Sequence, residues 1–228
     1  MNKYYAENLD AQNLKECYDI APPRVRQYLD AELDFVLQKI KPGDQVLELG
    51  CGYGRILQQI ASRSNDVVGI DNSMQSLMMA HESLGFISNI TLLGMDAERL
   101  AFPEGVFDVV ICIQNGISAF KINPSVLINE SWRVTKPGGY IIFSSYSDKF
   151  WHHRIEWFER QSKAGMLGEI DWIKTRNGII ECKDGFRATT FYAKDFEELT
   201  TNLNAEITIS EVDDSSLFCV IRKIKAKS

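Results

Sequence analysis

The chain has 228 residues, is 45% hydrophobic and carries a formal charge of −6, which fits an ordinary globular domain with a full core. The acidic balance speaks against a nucleic-acid partner or an anionic membrane surface, both of which call for basic patches. No apolar run approaches the ~20 residues that cross a bilayer, and the opening MNKYYAENLDAQ does not read as a signal peptide, so the cytoplasm is the expected compartment.

Along the chain, Pro22-Pro23 opens a helical pattern in which Val25, Tyr28, Leu29, Leu33, Val36, Leu37 and Ile40 share one face. Lys41-Pro42-Gly43-Asp44 stops it, and Gln45–Leu49 reads as a short buried strand. Helix is expected over Arg55–Ser62, strand over Asp66–Ile70, helix over Ser73–Leu84 and strand over Ile90–Met95. Phe107–Ile113 shows little polar alternation, as a central strand covered on both faces should. A helix over Val126–Val134 is expected to end at Lys136-Pro137-Gly138-Gly139, before a fifth strand over Tyr140–Ser145. Glu206–Val212 and Leu217–Ile224 flank a polar turn and read as an antiparallel hairpin.

Strands alternating with helices predict an α/β fold, a Rossmann-like doubly wound sheet. Between Ser147 and Phe191 the alternation breaks. KFWHHRIEWFERQ reads as an aromatic-rich helix, and Asn177-Gly178 and Asp184-Gly185 are hairpin turn signals. The segment of about 147–191 is therefore expected as an insertion over the carboxyl edge of the sheet. With N-terminal cap helices over about 1–40 and no visible linker, residues 1–228 are expected to form a single domain. The five scattered cysteines show no metal-like spacing and suggest reduced thiols, with Cys112 and Cys219 packed in apolar runs.

The chemistry begins at VLELGCGYGR, Val46–Arg55. Ligands of open α/β sheets bind beyond the carboxyl ends of the strands. Glycines at 50, 52 and 54 permit a tight turn and close backbone approach, and a following helix would aim unpaired N–H groups at an anion. A dinucleotide loop wants G-x-G-x-x-G, but Arg55 holds the place of the third glycine, which argues against a nicotinamide dehydrogenase; no Lys-Ser or Lys-Thr makes a P-loop. The stretch resembles motif I, E/D-x-G-x-G-x-G, of the class I S-adenosylmethionine-dependent methyltransferases.

Further stretches carry the same resemblance over roughly Val46–Ser145. Asp71 ends the second strand, 21 residues after Gly50, where an acid accepts the ribose hydroxyls; alone, it would also serve as a helix cap. In GMDAERLAFPEG, the resemblance implies that Asp96 receives the adenine amino group and that the Ala97 N–H meets the ring; Asp96 would equally suit a turn cap. FDVVICIQNG resembles motif IV and RVTKPGGYIIFSS the entry to strand five. The resemblance implies a seven-stranded sheet, mostly parallel with an antiparallel C-terminal hairpin. It implies S-adenosylmethionine as cofactor and S-adenosylhomocysteine as product. The implied cofactor set is Glu48, Gly50, Cys51, Gly52, Gly54, Asp71, Asn72, Asp96, Ala97, Gln114 and Asn115.

Departures bear on the acceptor. Strand four ends CIQNGISAF, not D/N-P-P-Y/F, which disfavours nucleic-acid bases, and no Lys-Asp-Lys-Glu set of ribose methyltransferases is evident. A small-molecule acceptor is expected, methylated by in-line displacement. A non-catalytic binding or scaffold protein of the same fold is the rival, against which the intact loop and both acids argue. His152 and His153, beside Trp151, Trp157 and Phe158, are either a base in an aromatic pocket or outward residues of an amphipathic helix. Tyr18, Arg24, Arg26 and Tyr28 either approach the cofactor carboxylate or lie on a solvated face. No metal site is expected, since His81, His152 and His153 lack ligand-spaced partners.

Overall fold

The computed structural model describes residues 11–225. The first ten residues of the expected N-terminal cap therefore lie outside the described residues. Helices α1 (Ala11–Asp19) and α2 (Pro23–Leu37) lead into strand β1 (Gln45–Leu49). Pro23 stands in the first turn of α2, where its missing N–H costs nothing.

The next elements are α3 (Leu57–Ala61), β2 (Asp66–Asp71), α4 (Met74–Leu84), β3 (Ile90–Gly94), β4 (Phe107–Cys112), α5 (Gly116–Ala119), α6 (Pro124–Val134) and β5 (Thr135–Tyr146). A 3-10 turn at Asp148–Phe150 precedes α7 (Trp151–Lys163). A small hairpin of β6 (Ile179–Glu181) and β7 (Arg187–Thr189) follows, then α8 (Ala193–Thr200), β8 (Ala205–Val212) and β9 (Ser216–Lys223). The main sheet has seven strands in the order β3-β2-β1-β4-β5-β9-β8. The pairs from β3 through β5 are parallel; β9 runs antiparallel to both β5 and β8.

Both faces of the sheet are covered, which is why its central strands read as unbroken apolar runs. Val46, Val109, Ile111, Ile142 and Phe218 join one core with Val36 of α2, Leu57 of α3 and Leu77 of α4. Their sequence neighbours Leu47, Val110, Cys112, Ile141 and Cys219 point the other way, into a core with Leu127 and Ile128 of α6 and Phe196 of α8. A third cluster joins α2, the end of β5, α7 and the small hairpin. Among the described residues, no helix is long and apolar enough to cross a membrane.

Several expectations needed correction. β5 begins at Thr135, directly after α6, and runs through Lys136-Pro137-Gly138-Gly139. The turn residues are absorbed by a register shift between Phe107 and Val109 of the partner strand. The helix after the glycine loop is only Leu57–Ala61, because 52–56 are spent in turns. α8 escaped the sequence reading. Its start is held by Asp195, whose carboxylate accepts the Tyr192 N–H at 2.7 Å. Both hairpin signals do form turns. Asn177 and Gly178 have φ of 51° and 75° with Arg176 bridged to Ile179, and Gly185 has φ of 93°.

Candidate functional site

One cavity of about 240 Å³ lies at the carboxyl ends of β1, β2, β4 and β5. It is lined by Glu48, Gly50, Cys51, Gly52, Asp71, Asn72, Asp96, Ala97, Gln114 and Asn115. The structure thus brings ten of the expected positions together from four stretches of sequence.

The loop after β1 is pinned by backbone bonds. Gly50 and Cys51 both donate to the Ile70 carbonyl at 2.9 Å. Gly50 has φ of +71°, and a Cβ there would meet the Phe120 ring at 3.1 Å. Asp71 completes the turn. One of its oxygens accepts the Gly52 N–H and the other the Ser73 N–H, each at 2.8 Å. It is not the helix cap; Ser73 caps α4 through the Ser76 N–H. A carboxylate oxygen has two lone-pair directions, so Asp71 retains acceptor capacity toward the cavity. Burial raises its pKa against the pull of those two N–H groups.

Gly54 is the exception among the candidates. It does not line the cavity. Its φ is +79°, and a Cβ would stand 2.6 Å from Leu84 Cδ1 and 3.3 Å from Ala80 Cβ. Its work is close packing of the loop on α4. The expected anion anchor at the following helix is also corrected. α3 starts at Leu57, whose N–H is bonded to the Gly54 carbonyl.

Arg55, the residue that spoils the dinucleotide pattern, lines the cavity instead. Its guanidinium stacks 4.8 Å above the Tyr18 ring, and its Nη2 has no partner. Glu48 is 8% exposed with one carboxylate oxygen unpartnered. Burial pushes its pKa up to about 8, against the attraction of Arg55 and with the repulsion of Asp71. Asp96 and Ala97 follow β3; Asp96 is exposed and caps its own turn through the Glu98 N–H at 2.9 Å.

Gln114 and Asn115 follow β4 with φ of 57° and 58°, two consecutive left-handed non-glycine residues. Such backbone persists only where its surroundings hold it. Here the holder is Glu32, fully buried on α2. One Glu32 oxygen accepts the Gln114 N–H at 2.7 Å and the Ser144 hydroxyl at 3.0 Å; the other accepts the Ser216 hydroxyl at 2.7 Å. Burial raises its pKa to about 7 despite those bonds and the Arg55 charge. The Gln114 side chain accepts from the Tyr18 hydroxyl at 3.1 Å and leaves its Nε2 unpartnered. Asn115 is tied to β5 by the Ser145 hydroxyl at 2.8 Å.

Neither Glu32 nor Arg55 was singled out from the sequence. Glu32 had a signal: an acid four residues after Tyr28 and four before Val36, on the apolar face of the helix. The other N-terminal candidates separate. Tyr18 and Tyr28 line the cavity, whereas Arg24 pairs with Asp213 at 2.7 Å and Arg26 donates to the Ala21 and Asp19 carbonyls. His152 and His153 are exposed and do not line the cavity. α7 turns Arg154, Trp157, Phe158 and Gln161 inward; His152 falls on the opposite face, and His153 sits at the flank with its ring 5.6 Å from that of Phe150. The cysteines are buried free thiols, and burial pushes Cys17, Cys182 and Cys219 up to about 12.

Four unpartnered buried atoms line this cavity: the Tyr28 hydroxyl and, beside the glycine loop, Glu48 Oε2, Arg55 Nη2 and Gln114 Nε2. An acceptor, a cation and an amide donor suit a ligand carrying both an amine and a carboxylate. A family model described as Methyltransferase domain matches residues 46–139. The chain belongs to the class I S-adenosylmethionine-dependent methyltransferases. Among curated members, a ubiquinone biosynthesis O-methyltransferase of Neisseria meningitidis is 31% identical over 166 residues, covering 70% of this chain and 66% of that protein. A malonyl-[acyl-carrier protein] O-methyltransferase of Marinomonas sp. is 33% identical over 138 residues, covering 54% of this chain and 49% of that methyltransferase. The N-methyltransferase NodS of Bradyrhizobium japonicum, solved with S-adenosylhomocysteine, superposes with a TM-score of 0.61 at 16% identity over 96% of this chain and all of that one. That likeness is one of fold. The aligned regions cover between 42% and 66% of these curated methyltransferases' own lengths.

Proposed function

We propose that the chain binds S-adenosylmethionine in this cavity and methylates a small-molecule acceptor, releasing S-adenosylhomocysteine. The observation that carries the reading is the trio of orphaned atoms on Glu48, Arg55 and Gln114 beside the glycine loop. Glu48 pairs with the ligand's amine and Arg55 with its carboxylate. Asp71 and Asn72 receive the ribose, and Asp96 and Ala97 the adenine. Gly50, Cys51 and Gly52 let the backbone approach, and Gln114 and Asn115 border the methionine end. Bound there, the sulfonium supplies an electrophilic methyl group and leaves as a neutral thioether.

The chain's own residues then have one main task, which is orientation. Holding two reactants in line contributes up to roughly 7–11 kcal/mol. No oxyanion forms, so no oxyanion hole is needed. Glu32 acts here as a positioning residue, since it fixes the left-handed Gln114 backbone. Both curated relatives named above are O-methyltransferases, which supports an oxygen acceptor, and the one in ubiquinone biosynthesis supports a small molecule. In this reading residues 1–228 work as one domain, and the segment of about 147–191 covers the acceptor side.

Calorimetric titration with S-adenosylmethionine and S-adenosylhomocysteine tests the reading. The wild type should bind both at micromolar concentration. Asp71→Ala should lose at least about 100-fold in affinity, the worth of two charge-assisted hydrogen bonds. Near-wild-type affinity in a folded Asp71→Ala protein would sink the ribose assignment. Binding without turnover across an acceptor panel would favour a binding protein over an enzyme.

A further inference from the structure

One part of the cavity remains when the cofactor candidates are set aside. Tyr28 comes from α2, Tyr146 from the end of β5, Trp157, Phe158 and Gln161 from α7, and Phe186 from the loop joining β6 to β7. This wall is aromatic, and no cavity-lining residue from these elements is charged. Its polar groups are the phenols of Tyr28 and Tyr146, the Gln161 amide and the Trp157 indole N–H. The Tyr28 residue is fully buried, and its hydroxyl has no partner in full hydrogen-bond geometry; a looser contact with the Tyr146 hydroxyl engages it, and the two rings lie 5.4 Å apart. A buried hydroxyl in that state is costly to leave unmatched, and a ligand oxygen or nitrogen would match it. Trp157 offers no such group, because its Nε1–H is spent on the Cys17 carbonyl at 2.8 Å.

Two buried charges flank the wall without lining the cavity. Arg154 lies behind it, 4.3 Å over the Tyr146 ring and 5.6 Å from the Phe158 ring, and it donates to the Gly178 carbonyl and the Thr190 hydroxyl. A ligand cation on these rings would share them with a guanidinium at low dielectric, which repels it. A ligand anion would find no cationic donor on this wall, and Glu32 stands one helical turn beyond Tyr28. Since no charged side chain on this wall meets the ligand directly, a charge of either sign would be buried there without a paired partner, which is costly.

We propose that this wall receives the methyl acceptor as an uncharged, flat aromatic compound, with the Tyr28 hydroxyl hydrogen-bonded to a polar atom on its ring. The proposal rests on the cofactor reading above and names the substrate class of that same site. Aromatic walls prefer aromatic ligands in offset or edge-on contact. Burial, and then the nearby Glu32 carboxylate, keep the Tyr28 phenol protonated well above the usual range, so it serves as a donor and not as a base.

The experiment uses the full chain saturated with S-adenosylhomocysteine. Catechol, 3,4-dihydroxybenzoate and dopamine are titrated calorimetrically; they share one ring and differ in charge. Catechol should bind at least about tenfold tighter than either charged probe, because an unpaired charge is costly to bury. Tyr28→Phe removes one hydroxyl and its loose contact with Tyr146, so it should fold and melt within about 2 °C of the wild type. It should weaken catechol about three- to tenfold, the size of one neutral hydrogen bond, while S-adenosylhomocysteine affinity stays within about twofold. Equal or tighter binding of a charged probe would overturn the proposal. So would unchanged catechol affinity in Tyr28→Phe, or no binding of any probe by the saturated wild type. Failure of S-adenosylhomocysteine to bind at all is a separate result; it overturns the cofactor reading and the acceptor class with it.

Discussion

The two sides of the cavity are built differently. The side at β1 and β2 is made of backbone and charge: a glycine loop, two carboxylates and a guanidinium within Glu48–Asp71. The side at α2, β5 and α7 is made of rings and neutral polar groups gathered from residues 28 to 186. A loop that must hold peptide N–H groups in fixed directions needs residues close in sequence, because φ, ψ and turn geometry act locally. A wall that excludes water and presents flat surfaces needs only bulk, and bulk can be brought from anywhere in the chain. The comparison implies that substitutions on the first side act on the loop and its ligand, and substitutions on the second on the acceptor.

The largest expected effect is on the local side. Gly54→Val adds a side chain at φ of +79° against Leu84. Strain and overpacking together should cost about 2–4 kcal/mol, or roughly 5–15 °C in Tm by circular dichroism. A melt within about 2 °C of wild type would show that the loop is not packed as described.

A smaller effect is the pH dependence of the free protein. Glu48 and Glu32 titrate near 8 and 7 in the fold, above the ordinary value of 4.5. Between those values the native state holds more protons than the unfolded chain, so stability falls as pH rises. Their contribution is complete below about 4.5 and is lost as pH passes through 7 and 8. Tm measured without ligand should therefore decline from pH 5 to 8, and Glu32→Gln or Glu48→Gln should flatten the decline. Lys121, lowered to about 8 by burial, opposes the decline only at the upper end of this window and above it. A Tm that rises across the interval would contradict the burial of both carboxylates.

The smallest effect belongs to the histidines. His152→Ala and His153→Ala change exposed residues outside the cavity and should each alter stability by no more than about 0.5 kcal/mol, with S-adenosylhomocysteine affinity unchanged. A pH-dependent loss of turnover confined to either variant would restore it as a candidate base.

Much of the fold was legible because its signals are local. Strand limits at Gln45–Leu49, the helix that opens at Ser73 and the turns at Asn177-Gly178 depend on a few adjacent residues. The glycine loop, Asp71 and Asp96-Ala97 could be read the same way, as motifs at set spacing. Three things could not. Gly54 looks like its neighbours at 50 and 52 until α4 is packed on it. Arg55 registers only as a departure from one pattern until Tyr18, 37 residues earlier, comes beneath it. Glu32 bonds to Gln114, Ser144 and Ser216, partners 82, 112 and 184 residues away.

Residue order alone thus determined the alternation of strands and helices, the glycine turn and the acids that end the strands, because backbone geometry is set between neighbours. Tertiary structure decided which of those residues face one cavity, which aromatic groups close its far side and which buried carboxylate holds its strained edge. Those outcomes depend on desolvation and on contacts between distant elements, and they exist only once the sheet is covered on both faces.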